Sequence, residues 1–219
     1  MTSRIRFFAA LLALLDSGFF DVIQVEYNVF NQSAVETPAP GQDVTPLEAL
    51  EADPDVDMAG WAYRPIDQHL AIPLAAARDV GVVCIRPLAG GLLSARVDRP
   101  DEPGSQMDLL RRRAAALSFL TAQGERTLAR SALAFSLANP SIATVIPGAK
   151  NAAEIEDALR VAQTGPLDSE SSDRIAALAR RNFDAEPPDR RRTARAVEGS
   201  GSGRGGRARP GSVPTPGSP

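Results

Sequence analysis

Three short apolar runs, spaced by helix-length patterns, constrain this chain more than any other feature. The first is Phe19-Phe20-Asp21-Val22-Ile23-Gln24-Val25-Glu26-Tyr27-Asn28, rich in β-branched and aromatic residues and polar at its end. The second, Val82–Arg86, follows a helical pattern over Gln68–Arg78 that Asp79-Val80-Gly81 closes. The third, Ile142–Ile146, follows helical patterns over Asp108–Gln123 and Arg126–Leu137 and the stop at Asn139-Pro140. Strand, crossover helix, strand is the βαβ pattern of a parallel sheet, and it predicts an α/β fold. Because the runs are apolar throughout, the strands are expected to be buried on both faces.

Each run ends in residues suited to a ligand: Gln24 to Asn28, Arg86 to Gly91, and Gly148 to Asn151. In parallel α/β folds, sites collect at these carboxyl ends. Further helices are read over residues 4–15, Ala152–Ala162 and Ser169–Asn182. The segment 29–67 is rich in Pro, Asp and Gly and is read as a long loop with one helical turn at Pro46–Glu51.

The start sets a basic end (Arg4, Arg6) before the apolar run Phe7–Leu15, which imitates a signal peptide. No small-x-small site closes that run, and it is well short of the roughly 20 residues that span a bilayer. A buried amphipathic helix is the preferred reading, and a cytoplasmic protein with no membrane segment is expected.

Charge divides the 219 residues unevenly. The net charge is −3, yet from Pro187 onward seven Arg face two acidic residues, leaving the body strongly acidic. An acidic body argues against a nucleic-acid-binding core, which needs a basic face. The last 33 residues contain 17 Gly, Pro or Ser and too few apolar groups to offset chain ordering. Residues 187–219 are therefore expected to be a disordered tail. Gly203-Arg204-Gly205-Gly206-Arg207 looks like an RNA-binding segment, but the tail has no aromatic residue to stack a base. No nucleic-acid partner is expected.

A folded part of residues 1–186 is short of the roughly 250 residues of a complete eight-fold β/α barrel. One cysteine, Cys84, excludes an intrachain disulfide and reads as a small buried hydrophobe. One histidine, His69, excludes paired-histidine metal motifs, and no metal is expected.

Three stretches together resemble the C-terminal half of the aldo/keto reductase family. Phe20-Asp-Val-Ile-Gln-Val-Glu-Tyr-Asn28 is similar to the family's sixth barrel strand. Gly81-Val-Val-Cys-Ile-Arg-Pro-Leu-Ala-Gly-Gly-Leu-Leu93 is similar to strand seven and its phosphate loop. Thr127–Pro140 running into Ile142-Ala-Thr-Val-Ile-Pro-Gly-Ala-Lys-Asn151 resembles the helix before strand eight, that strand, and the cofactor loop. The resemblance covers about residues 4–182. It implies part of a TIM (β/α)8 barrel, strands six to eight with their helices, in an oxidoreductase that uses NADP, with NAD possible, to reduce carbonyls.

By that resemblance Gln24 contacts the nicotinamide carboxamide. Ile85 stands where a tyrosine often stacks under the ring. Arg86, Leu88, Gly90 and Gly91 wrap the pyrophosphate, with glycines for close approach and Arg86 for charge-assisted bonds. Gly148, Lys150 and Asn151 grip the adenosine 2′-phosphate. Glu154 replaces the usual glutamine or arginine, and an acidic group there suits an unphosphorylated ribose. Tyr27 and Asn28 are either structural or line the site.

The family's catalytic Tyr, Lys, Asp and His come before strand five. By the resemblance, this sequence is expected to begin after that region, and its single lysine, Lys150, to fall in the adenosine loop. Tyr63 and His69 fall in or beside the crossover between strands six and seven, so no catalytic residue is carried over. The expectation is a truncated chain, inactive alone, whose carbonyl or sugar-like substrate is met only with a complementing N-terminal half. The alternative is a non-catalytic nucleotide-binding or subunit-like module.

Overall fold

A computed structural model describes residues 3–45, 63, 65–94, 106–122, 124 and 126–184. All belong to the first of two units into which the chain divides, Met1–Pro187. The tail from Pro188 and the helical turn expected at Pro46–Glu51 lie outside the described residues.

The described chain runs α1 (Ser3–Asp16), β1 (Val22–Glu26), α2 (Ala71–Ala76), β2 (Gly81–Ile85), α3 (Gln106–Ala115), α4 (Leu128–Leu137), β3 (Ile142–Val145), α5 (Ala152–Leu159), α6 (Val161–Thr164) and α7 (Ser169–Arg180). The strands pair in the order β1-β2-β3, parallel throughout. Glu26 aligns with Ile85 and Cys84 with Val145, so the carboxyl ends of all three strands are level. A bulge between Val82 and Val83 adjusts the register to β3. The α/β fold with a parallel sheet is thus as the alternation requires.

Burial on both faces is not what the sheet shows. Val25, Val82 and Cys84 are buried and join one core with Ile72, Ala75, Ala132, Leu133, Phe135 and Ile175. Val22, Gln24 and Thr144 are exposed, and Gly81, Val83 and Ile85 are intermediate along β2. The alternation along β2 means the helices cover one face, and the residues of the other face meet solvent. Helix α1 likewise differs from the buried helix expected. Leu15 is buried, but Leu14 is 53% exposed and Phe8 36%.

Element ends differ where side chains compete with the backbone ladder. Strand β1 stops at Glu26 because the Asn28 Oδ1 accepts the N–H groups of Phe30 (2.9 Å) and Asn31 (3.0 Å), turning the chain. Helix α2 starts at Ala71, not Gln68. Asp67 Oδ1 accepts the His69 N–H at 2.9 Å, and His69 and Leu70 take φ of 52° and 60°, which no α-helix continues through. The pattern read over Asp108–Gln123 is helix only to Ala115, followed by a 3-10 turn at Ser118–Leu120. The one read over Ala152–Ala162 is divided at Arg160 into α5 and α6.

Helix α4 positions β3, and its start is fixed by Thr127. The Thr127 Oγ1 accepts the Arg130 N–H at 3.1 Å and donates to Asp157 Oδ2 at 2.8 Å, while Arg130 pairs with the same carboxylate at 3.1 Å. Thr127→Ala removes the cap and the link to α5. It is expected to lower unfolding free energy by about 1 kcal/mol, read from the urea midpoint.

Candidate functional site

The level strand ends place three loops side by side. Gln24 lies exposed on the open sheet face, two residues before the end of β1. Ile85 ends β2 and is partly exposed. Arg86 leaves β2 with φ 52°, and its guanidinium is about half exposed. Beyond it Ala89, Gly90 and Gly91 also take positive φ (48°, 67° and 96°), a tight turn in which Leu88 packs inward against the core. Gly90 and Gly91 are exposed, which leaves their backbone open to close approach. After β3, the Ile146 N–H still donates to the Cys84 carbonyl at 2.9 Å, so the loop Gly148–Asn151 departs beside the end of β2.

That last loop is tied by its own side chains. Asn151 caps α5: its Oδ1 accepts the Glu154 N–H at 3.0 Å, and its Nδ2 donates to Glu154 Oε1 at 3.3 Å. Glu154 Oε2 accepts the backbone N–H of Lys150 at 2.7 Å. The Glu154 carboxylate, on the first turn of α5, therefore sits against the Lys150 backbone. Lys150 and Gly148 are exposed.

Between β1 and β2 the structure assembles a buried polar cluster that sequence reasoning did not join. Glu26 is 4% exposed. Its Oε1 accepts the Tyr63 hydroxyl at 2.7 Å and Asn31 Nδ2 at 2.9 Å, and its Oε2 lies 3.4 Å from Arg86 Nη1. Asn28 Nδ2 donates to the Tyr63 oxygen (2.8 Å) and to the Arg86 carbonyl (3.0 Å). Tyr63 also packs on the loop after β2, since a Cβ on Gly90 would stand 3.6 Å from the Tyr63 Cβ.

Burial raises the Glu26 carboxyl above its ordinary range, against the lowering effect of Asn31, Tyr63 and Arg86. Burial and then the Glu26 charge push the Tyr63 phenol well above its usual range. Tyr63 is therefore a hydrogen-bond donor held neutral, not a ready proton source. Its position in the crossover carries no local motif, so no signal in sequence spacing reveals its contact with Glu26.

Tyr27 and Asn28, left open between structural and site roles, separate. The Tyr27 ring is buried and stacks on Phe135 at 5.3 Å between centroids. Asn28 bridges the strand ends. Cys84 is fully buried, and burial pushes its thiol up to about 11, as suits a small core residue. His69 lies 3.7 Å from Asp67 beside a cleft lined by Phe8, Ser33, Thr37, Pro38 and Leu70.

The chain is an α/β protein whose parallel sheet gathers its polar loops at the strands' carboxyl edge, where the ligand sites of such folds lie. The sequence profile of the Aldo/keto reductase family matches residues 45–180, and the chain belongs to that family. Among solved structures, the chain is similar to aldo-keto reductase AKR11C1 from Bacillus halodurans in its holo form, with 21% identity and a TM-score of 0.50. That match covers 77% of this chain and 46% of the other, so this chain spans about half the length of the structure it resembles. The apo form of the same protein matches with a TM-score of 0.49. No curated protein matches the sequence. Among the described residues no helix is long and apolar enough to cross a membrane.

Proposed function

We propose that residues 1–186 are strands six to eight of an aldo/keto reductase barrel with their helices, holding a nicotinamide nucleotide, and that residues 187–219 are a tail outside it. The observation that carries this is the level register of the three strand ends, which sets Arg86 and the Gly148–Asn151 loop at one sheet edge, with Gln24, paired to Val83, exposed on the open face just inside it. The donor set fits such a nucleotide: an exposed side-chain amide, a half-exposed guanidinium, two exposed glycines and an exposed lysine.

In this reading Gln24 orients the carboxamide beside Ile85. Arg86 and the backbone of Leu88, Gly90 and Gly91 hold the pyrophosphate, and Lys150, with Gly148 and Asn151, faces the adenosine end. NADP is the expected nucleotide. Glu154 opposes a 2′-phosphate electrostatically, so NAD is the competing ligand. When bound, the nicotinamide supplies a hydride to a carbonyl carbon. The residues that place the carbonyl and donate its proton are not among these 219, where Lys150 is the single lysine. A complementing N-terminal half would bring them, with a small carbonyl or sugar-like substrate, in a cytoplasmic setting.

The test is nucleotide fluorescence and turnover on the 219-residue chain. NADPH or NADH is expected to bind saturably, with no oxidation above background on a broad aldehyde panel. Absence of saturable binding overturns the assignment of the loops, and turnover overturns the placement of catalysis elsewhere.

A further inference from the structure

The Glu26 cluster holds the ends of β1 and β2 together and includes Arg86. Arg86 is the one described cation in direct contact with Glu26. It is also the residue proposed to hold the pyrophosphate. Its guanidinium faces two claims: a buried carboxylate behind it and, in front, the solvent side where an anion would arrive.

We propose that Glu26 is the positioning residue for Arg86, and that binding a nucleotide's phosphates draws Arg86 off Glu26 so that the carboxylate takes up a proton. This rests on the nucleotide reading above and specifies how that site responds to pH.

The geometry supports the exchange in three ways. The Glu26–Arg86 contact, at 3.4 Å, is the longest of the three that Glu26 side-chain oxygens make. It is therefore the contact most readily given up. Glu26 is also held independently of Arg86, by Tyr63 and Asn31, so it stays in place when the guanidinium turns. Arg86 is half exposed while Glu26 is 5% exposed in its side chain, so only the arginine can follow an incoming anion. Leaving a carboxylate buried without its cation, and with phosphate charge nearby, favours its neutral form.

The titratable and charged groups around Glu26 fix the direction. Tyr63 from the crossover and Arg86 at the end of β2 both favour the carboxylate. Cys84 on β2 is neutral far above working pH, since its thiol titrates at about 11. Arg113 of α3 acts on Tyr63 and is itself paired with Asp43 at 3.0 Å, so it does not replace Arg86. Loss of Arg86 is thus the change that raises Glu26 further. By linkage, proton uptake on binding means that affinity weakens as pH rises through the range in which Glu26 titrates.

The experiment is isothermal titration of the 219-residue chain with NADPH and with NADH, each in two buffers of different ionisation heat. Wild type is expected to take up a fraction of a proton more than Glu26→Gln, which keeps an acceptor for Tyr63 and Asn31 but cannot titrate. Subtracting the variant cancels titration of the ligand itself. Tyr63→Phe retains the carboxylate and removes a bond that favours its charge. It should move the inflection of affinity against pH to higher pH, and it serves as the readout if Glu26→Gln does not fold.

Equal proton uptake in wild type and Glu26→Gln, or an inflection unmoved in Tyr63→Phe, overturns the proposal while leaving nucleotide binding intact. No binding by wild type at any pH is the distinct result that overturns the site itself, and this proposal with it.

Discussion

Phe135→Ala is expected to lower the free energy of unfolding by about 3–5 kcal/mol, the largest single loss anticipated in the core. Phe135 is 4% exposed on α4, and its ring stacks on Tyr27 at an interplanar angle of 18°. That contact joins the helix before β3 to the residue just past β1. The same junction is polar at its edges. The Tyr27 carbonyl accepts from Cys84 Sγ at 3.0 Å and from Ser136 Oγ at 3.4 Å.

Truncating the ring leaves a cavity bounded by three elements that cannot all collapse into it. Since small domains have about 5–15 kcal/mol in total, about a fifth or more of the stability is at stake. Phe135→Leu, which refills part of the volume, should cost about 1–2 kcal/mol. Urea unfolding of both variants checks this, and a loss below about 1 kcal/mol for alanine would mean that α4 does not anchor β1.

This junction also shows how far the sequence was legible. Strands β1 and β2 could be read because a short apolar run bounded by turn residues is a local signal, and the buried face of α4 because one-sided burial leaves a helical period. The loops at the strand ends could be read because glycines and a lone cation after an apolar run form a local pattern. The Glu26–Tyr63 bond could not, because 37 residues separate its partners and neither has a distinctive neighbour.

Two failures have a common physical origin. An apolar strand and an apolar helix both predict burial, but burial needs a covering element. Val22, Thr144 and Leu14 keep their apolar or small character while exposed. Sequence records the composition of a surface and says little about what packs on it. The shortened α2 has a different cause. Asp67 captures a backbone N–H that the helix would need, and a side-chain competitor of this kind is invisible to periodicity.

Arg86→Ala is expected to weaken binding of NADPH and NADH alike, by about 10- to 100-fold, as suits loss of a charge-assisted bond worth about 1.5–3 kcal/mol. Equal loss for the two is the informative part, because the pyrophosphate is common to both while the 2′-phosphate is not. Lys150→Ala, by contrast, should affect NADPH more than NADH. The wild-type affinity should also fall with added salt, and the Arg86→Ala affinity should fall less steeply.

The same substitution has a second, separable effect on stability. The Glu26 carboxyl already titrates above its ordinary value of 4.5 in the folded chain. Between that ordinary value and the raised one, the folded state binds more protons than the unfolded state, so stability decreases as pH rises. Removing the guanidinium raises the folded-state value further and widens that range upward. Arg86→Ala should therefore cost little at the acidic end and progressively more as pH rises through the Glu26 titration, while Arg86→Ala combined with Glu26→Gln should lose that slope. A pH-independent cost would show that Arg86 contributes packing alone and that Glu26 does not sense it.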